Sequence, residues 1–86
     1  MHELSIAMEV CRITEKTVGS DRLGDVLEVG LDVGVDAGVV VQNLEFCLET
    51  LLAEPPFGRG RPVITTQNGD DLRVTYLEVD DACQTH

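Results

Sequence analysis

The chain has 86 residues and a formal net charge of −10, with 6 Lys and Arg against 16 Asp and Glu. This length predicts one small domain, residues 1–86, with a core that buries only part of the surface of the unfolded chain. The acidic charge argues against nucleic acid and anionic membranes as partners. Hydrophobic residues make up 43% of the chain, which indicates a packed domain rather than a disordered one.

The sequence contains no apolar stretch of the roughly 20 residues that span a bilayer, and no signal-peptide pattern, so we expect a cytoplasmic protein without a membrane partner. Cys11, Cys47 and Cys83 are odd in number and far apart, which favours neither a disulfide framework nor a paired zinc site. We expect Cys11 and Cys47 to be core residues. Cys83 and His86 form a C-x-x-H ending, in which two ligands on a tail do not indicate a metal site.

Two amphipathic helices are predicted. From residue 4 to about residue 18, apolar side chains such as Leu4, Ala7 and Cys11 recur at intervals of three and four. The same period extends over residues 40–53. Pro55-Pro56 ends this second helix, because a proline ring donates no backbone hydrogen bond and holds its predecessor extended.

Three strands are also predicted. Residues 25–33 alternate, and the residues on one face are Leu27, Val29, Leu31 and Val33. Residues 63–66 and Leu72–Val79 are rich in β-formers, and Asn68-Gly69 between them is typical of a tight hairpin turn. The apolar parity of the last strand changes at Thr75-Tyr76, which predicts a β-bulge there.

The order α-β-α-β-β predicts an α+β fold, with a three-stranded, mainly antiparallel sheet and both helices on one face. The other face is then uncovered. That face, or a sheet edge, is a candidate docking surface for a partner or for a second copy in a homo-oligomer. We expect residues 80–86 to form a loose tail.

The first three residues can chelate a metal ion. The α-amine of Met1, the backbone amides of His2 and Glu3, and the His2 imidazole can form fused chelate rings around a divalent cation. Such a nitrogen-rich set suits Ni(II) or Cu(II). Taken alone, the same triplet is also typical of an ordinary frayed terminus.

The residues resemble the HypA family, and the similarity covers about residues 1–81. The motifs that carry it, in family order, are Met1-His2-Glu3-Leu4-Ser5, Leu27-Glu28-Val29-Gly30, Gly34 with Gly38-Val39, Leu44-Glu45-Phe46-Cys47 with Glu49, Gly69-Asp70-Asp71-Leu72-Arg73-Val74 and Leu77-Glu78-Val79.

The resemblance implies a nickel metallochaperone for [NiFe]-hydrogenase maturation, with a Ni(II) site at Met1, His2 and Glu3. It also implies two partners, a maturation GTPase and the hydrogenase large subunit. We expect no enzymatic activity, because no His, Ser or Cys lies in a recognisable nucleophile pattern.

The sequence departs from the family in two places. Family members carry a zinc-binding insertion with two C-x-x-C pairs between the last strands, whereas residues 63–70 here are short and lack cysteine, so no zinc is expected. Val40 occupies a position where the family often has an acidic nickel contact, and Asp36 is the nearest acid. These departures leave an alternative open, which is a HypA-derived protein-interaction module that has lost metal delivery.

Overall fold

A computed structural model describes residues 2–80 of the chain. Met1 and residues 81–86 lie outside the described residues, and with them Cys83, His86 and all of the predicted tail except Asp80. The elements in order are α1 (His2–Val18), a 3₁₀ helix (Ser20–Asp25), β1 (Val26–Gly34), α2 (Val41–Leu52), β2 (Arg61–Gln67) and β3 (Leu72–Val79). The predicted α+β fold, with two α-helices and a three-stranded sheet, is confirmed.

The sheet is mixed rather than mainly antiparallel. Its strand order is β2-β1-β3, so β1 pairs with β2 in parallel and with β3 in antiparallel fashion. The predicted hairpin between β2 and β3 is therefore wrong, because the two strands are not neighbours. The physical reason is that β1, α2 and β2 form a β-α-β unit, in which the helix returns the chain to the starting end of the sheet.

Residues 68–71 carry the chain across the end of β1, from β2 on one side to β3 on the other. The N–H of Gly34 donates to the Asp71 carbonyl at 2.7 Å, and the N–H of Asp36 donates to the Gly69 carbonyl at 2.8 Å. A Cβ atom on Gly34 would overlap the Gly69 carbonyl oxygen. Glycine is required at this position because two backbone segments approach closely.

The predicted β-bulge in β3 is confirmed. Gly30 pairs with Tyr76 and Leu31 pairs with Val74, so Thr75 is the extra residue. A bulge adds one residue to one strand, which lets the apolar side chains before and after it face the same side of the sheet.

A second irregularity lies in β1. Val26 pairs with Val79 and Glu28 pairs with Glu78, which leaves Leu27 as the extra residue. Simple alternation predicted Leu27 on the core face and Val26 opposite, but Val26 is fully buried and Leu27 is only partly so. Because of this bulge, the first residue of β1, Val26, faces the core together with Val29.

Both helices pack on one face of the sheet, where the hydrophobic core lies. Its members are Ala7 and Val10 of α1, Leu44, Leu48 and Leu52 of α2, and Val26, Val29, Leu31 and Val33 of β1. The hydroxyl of Thr14, also buried, donates to the Val10 carbonyl at 2.8 Å. Cys11 and Cys47 are free thiols that pack against this core, and burial raises the pKa of the Cys11 thiol.

The opposite face of the sheet carries polar side chains. Glu28 accepts hydrogen bonds from Arg61 at 2.7 Å and from the Tyr76 hydroxyl at 3.0 Å. Arg73 lies 4.0 Å from Asp32. Exposed pairs of this kind add little stability. Docking of a partner or of a second copy on this face stays a prediction.

Among residues 2–80, the helices are too short and too polar to cross a membrane.

The crossing of residues 68–71 over β1 can be tested at Gly34. We expect Gly34→Ala to lower the free energy of unfolding by about 1–3 kcal/mol, because the added methyl group meets backbone rather than a flexible side chain. Denaturant unfolding measures this difference. The matched control is Gly24→Ala, where the nearest atom to the new Cβ is 3.9 Å away. Equal effects of the two variants would contradict the crossing.

Candidate metal site at the first turn of α1

His2 is the first helical residue of α1, and its side chain is exposed. The first four N–H groups of an α-helix have no acceptor within the helix. The backbone nitrogens of His2 and Glu3 belong to this group, so a metal that binds them breaks no backbone–backbone hydrogen bond of the helix. An accessible imidazole and two such amides therefore lie on consecutive residues.

The Glu3 side chain contacts the start of the other helix. Its Oε2 accepts a hydrogen bond of 3.0 Å from the backbone N–H of Val40. This hydrogen bond, followed by one from the backbone N–H of Glu3 itself, lowers the pKa of the Glu3 carboxyl. Because the folded pKa is depressed, the ionised carboxylate adds stability above the unfolded-state pKa, and this contribution is lost as pH falls through the folded pKa.

Val40 is the N-cap residue of α2, and its side chain makes no capping hydrogen bond. The first turn of α2 contains no acidic residue either. In a capping box, an acidic residue at the third helical position bonds to the N–H of the N-cap residue. Glu3 takes this role from α1, and it also places a negative charge at the positive end of the α2 dipole.

The turn that precedes α2 is fixed to the rest of the protein. Ala37 and Val39 are partly buried and pack against the hydrophobic core, and so does Ile6 in the first turns of α1. The carbonyl of Val40 accepts the N–H of Leu44 at 3.0 Å. The donor that Glu3 uses therefore lies on a segment held by packing on one side and by helical hydrogen bonding on the other.

The structure brings together some of the predicted site residues and not others. His2 and Glu3 share the first turn of α1, and the Val40 backbone lies against Glu3 with a side chain 53% exposed. Asp36 is exposed, and the described contact it makes is through its backbone. Within residues 2–80, His, Cys, Asp and Glu side chains form no cluster of three that could hold a metal. The predicted ligand set is not a cluster of side chains. It consists of one imidazole together with backbone and terminal nitrogens.

The sequence pattern predicted Glu3 only as a backbone ligand and did not reveal the role of its side chain. The available signal was at the other helix. Val40 is a poor N-cap residue, and α2 lacks an acid in its first turn, so a cap from elsewhere in the chain was needed.

The cap at Val40 gives a stability prediction. We expect Val40→Asn to raise the free energy of unfolding by about 0.5–1 kcal/mol, because Asn can accept the unpaired N–H groups of the first turn of α2. Thermal or denaturant unfolding measures the change. Val35→Asn is the control, since Val35 is 64% exposed and precedes no helix directly. A gain shared by both variants, or absent at Val40, would contradict the capping argument.

The sequence also matches a known family over most of its length. Residues 1–69 match the family model described as HypA, hydrogenase/urease nickel incorporation, metallochaperone. The resemblance indicated by the sequence motifs is confirmed.

Individual relatives agree with the family match. The chain is 41% identical over 64 residues to the hydrogenase maturation factor HypA of Geobacter metallireducens, which covers 74% of this chain and 56% of that protein. It is 36% identical over 72 residues to the hydrogenase maturation factor HypA of Chlorobaculum tepidum, covering 71% of this chain and 64% of that protein. The chain thus spans between 56% and 64% of the length of these two curated relatives.

Proposed function

This chain belongs to the HypA family of hydrogenase/urease nickel-incorporation metallochaperones, and from this premise we propose that it binds Ni(II) at its first three residues and delivers it during [NiFe]-hydrogenase maturation. It acts as an accessory protein and not as an enzyme. The observation that carries the proposal is the exposed His2 at the start of α1, followed by backbone amides that have no helical acceptor.

The ligands are the Met1 amine, the His2 imidazole and the backbone nitrogens of His2 and Glu3. Nitrogen ligands in a tetragonal arrangement suit Ni(II). A cation at the N-terminus of a helix opposes the helix dipole. When the metal replaces the amide protons, which are released to solvent, the amide nitrogens carry negative charge and offset this repulsion.

Delivery requires that the metal also leave. A chelate of consecutive residues around the exposed His2 can detach one ligand at a time, so release needs no opening of the core. The receiving partners in this proposal are a maturation GTPase and the hydrogenase large subunit, and the work takes place in the cytoplasm.

The proposal includes no zinc. Residues 68–71 join β2 directly to β3, which supports a chain that works without a zinc-binding insertion at this point. The two described cysteines are Cys11 and Cys47. Both pack against the core, and they do not form a C-x-x-C pair.

One observation favours the alternative, an interaction module that no longer delivers metal. The side chain of Val40, at the position that lies beside Glu3, cannot ligate a metal ion. In this alternative the fold and its family surfaces remain, while His2 and the terminal amine have no role in metal binding.

Calorimetric titration with Ni(II) separates the two functions. We expect the protein with its native Met1 start to bind one Ni(II), and versions with Gly-Ser before Met1, or with His2→Ala, to lose at least about 100-fold in affinity, since each loses a ligand. Binding should also weaken between about pH 7.5 and about pH 5.5, because protons compete for the nitrogen ligands.

Two results of this titration would contradict the proposed function. Equal affinity of the native and extended proteins would remove the amine from the site. No binding to the native protein, together with normal partner binding by His2→Ala, would establish the interaction module instead.

A further inference from the structure

We propose that the Glu3 carboxylate is a positioning residue, which holds the metal-binding first turn of α1 in place by accepting the Val40 N–H and does not itself ligate the metal. This inference rests on the proposed function and specifies how its site is held. It assigns Glu3 two separate tasks, a backbone nitrogen for the metal and a side chain for the support.

The first turn of α1 has few other attachments. His2, Leu4 and Ser5 are exposed, and Ala7 is the first residue of α1 that is fully buried. Helix ends open readily where few buried contacts hold them. The bond from Val40 to Glu3 is therefore the described hydrogen bond that ties this turn to the rest of the protein.

The other end of that bond is rigid by comparison. Val40 precedes α2 directly, and its carbonyl accepts the N–H of Leu44, a fully buried core residue. Val39, its neighbour, packs against the core. A support of this kind reduces the ordering cost of binding, because the ligand-bearing turn is already placed.

The same bond argues against ligation by the carboxylate. Its Oε2 accepts the Val40 N–H, so ligation of a metal through Oε2 would break this bond and leave α2 without this cap. The charge-assisted bond is stronger than one between neutral groups. Metal binding through the Glu3 backbone nitrogen, in contrast, gives up the bond from that N–H to the Glu3 carboxylate and leaves the bond to Val40 intact.

Four variants test the inference by titration with Ni(II) alone. Glu3→Ala removes the acceptor, and Glu3→Gln removes the charge but keeps an oxygen acceptor. Val40→Pro removes the donor and keeps the carboxylate, and the φ of −84° at Val40 lies close to the range of proline. The fourth variant combines Glu3→Ala with Val40→Pro.

We expect Glu3→Ala and Val40→Pro each to weaken Ni(II) binding by about 5- to 10-fold, which lies in the range for loss of an ordinary intramolecular hydrogen bond. The double variant should be no weaker than either single one, because both remove the same bond. Glu3→Gln should lose only about 2-fold, since a neutral acceptor makes a weaker bond. The ligand-field absorption spectrum of the saturated complex should be the same in all of them.

Two outcomes would overturn the inference while wild-type binding is intact. Equal losses in Glu3→Ala and Glu3→Gln, with Val40→Pro like wild type, would assign the effect to charge or to direct ligation. A changed absorption spectrum in Glu3→Ala would identify the carboxylate as a ligand. Absence of binding by the wild type would instead refute the proposed function, so the two failures are distinguishable.

A charge control and a test that does not depend on the folding of Val40→Pro accompany these variants. Glu49→Ala removes an exposed carboxylate from α2 and should leave Ni(II) affinity unchanged, which calibrates the effect of net charge alone. If Val40→Pro fails to fold, amide exchange at Val40 decides the matter. If the Val40 amide exchanges faster in Glu3→Ala than in the wild type, and at nearly the wild-type rate in Glu3→Gln, the result agrees with a positioning role for Glu3. Equal exchange rates in the wild type and both variants contradict it.

Discussion

A hydrogen bond between the Glu3 carboxylate and the Val40 N–H joins the two helices at the end of the molecule where the chain begins. It caps α2 from outside the helix, because the side chain of the N-cap residue Val40 makes no capping hydrogen bond and the first turn of α2 has no acidic residue. It also fixes the first turn of α1, which otherwise has little buried surface. One interaction thus caps one helix and, in the proposed site, places the metal ligands on the other.

The position of Val40 depends in turn on the central strand. β1 lies between β2 and β3, and the chain between those two strands crosses its end, where Asp36 and Gly34 bond to the crossing segment. This crossing holds the start of the turn that leads to α2. The close approach at Gly34 leaves no room for a side chain. The position of Glu3 therefore depends on the cap at Val40, on the turn before α2, and on the crossing segment that is hydrogen-bonded to β1.

The helices, the strands and the Thr75 bulge could be predicted because each depends on periodicity within one segment. The sheet order could not be predicted from the turn signal. Asn68-Gly69 is a correct signal for a reversal of the chain, but a local pattern does not reveal that β1 lies between the two strands it connects. The β-α-β sequence of elements was the better guide, because its helical crossover favours parallel neighbours.

The candidate site also has a part that could be predicted from the sequence and a part that could not. His2 and the start of the chain could be proposed as metal ligands from ligand chemistry and from the resemblance to a family. The role of the Glu3 side chain could not, since its partner is a backbone N–H 37 residues away and a backbone group leaves no mark in the sequence. Its only trace was indirect, in the poor N-cap residue Val40.

The central claim, that Ni(II) is held by an imidazole and other nitrogen ligands from the chain start and not by thiol groups, is tested most directly by X-ray absorption at the nickel edge of the loaded, native-start protein. The account predicts a first shell of nitrogen scatterers with the outer-shell pattern of a single imidazole. Sulfur scattering, which Cys11 or Cys47 would give, or the absence of any imidazole pattern, would contradict it.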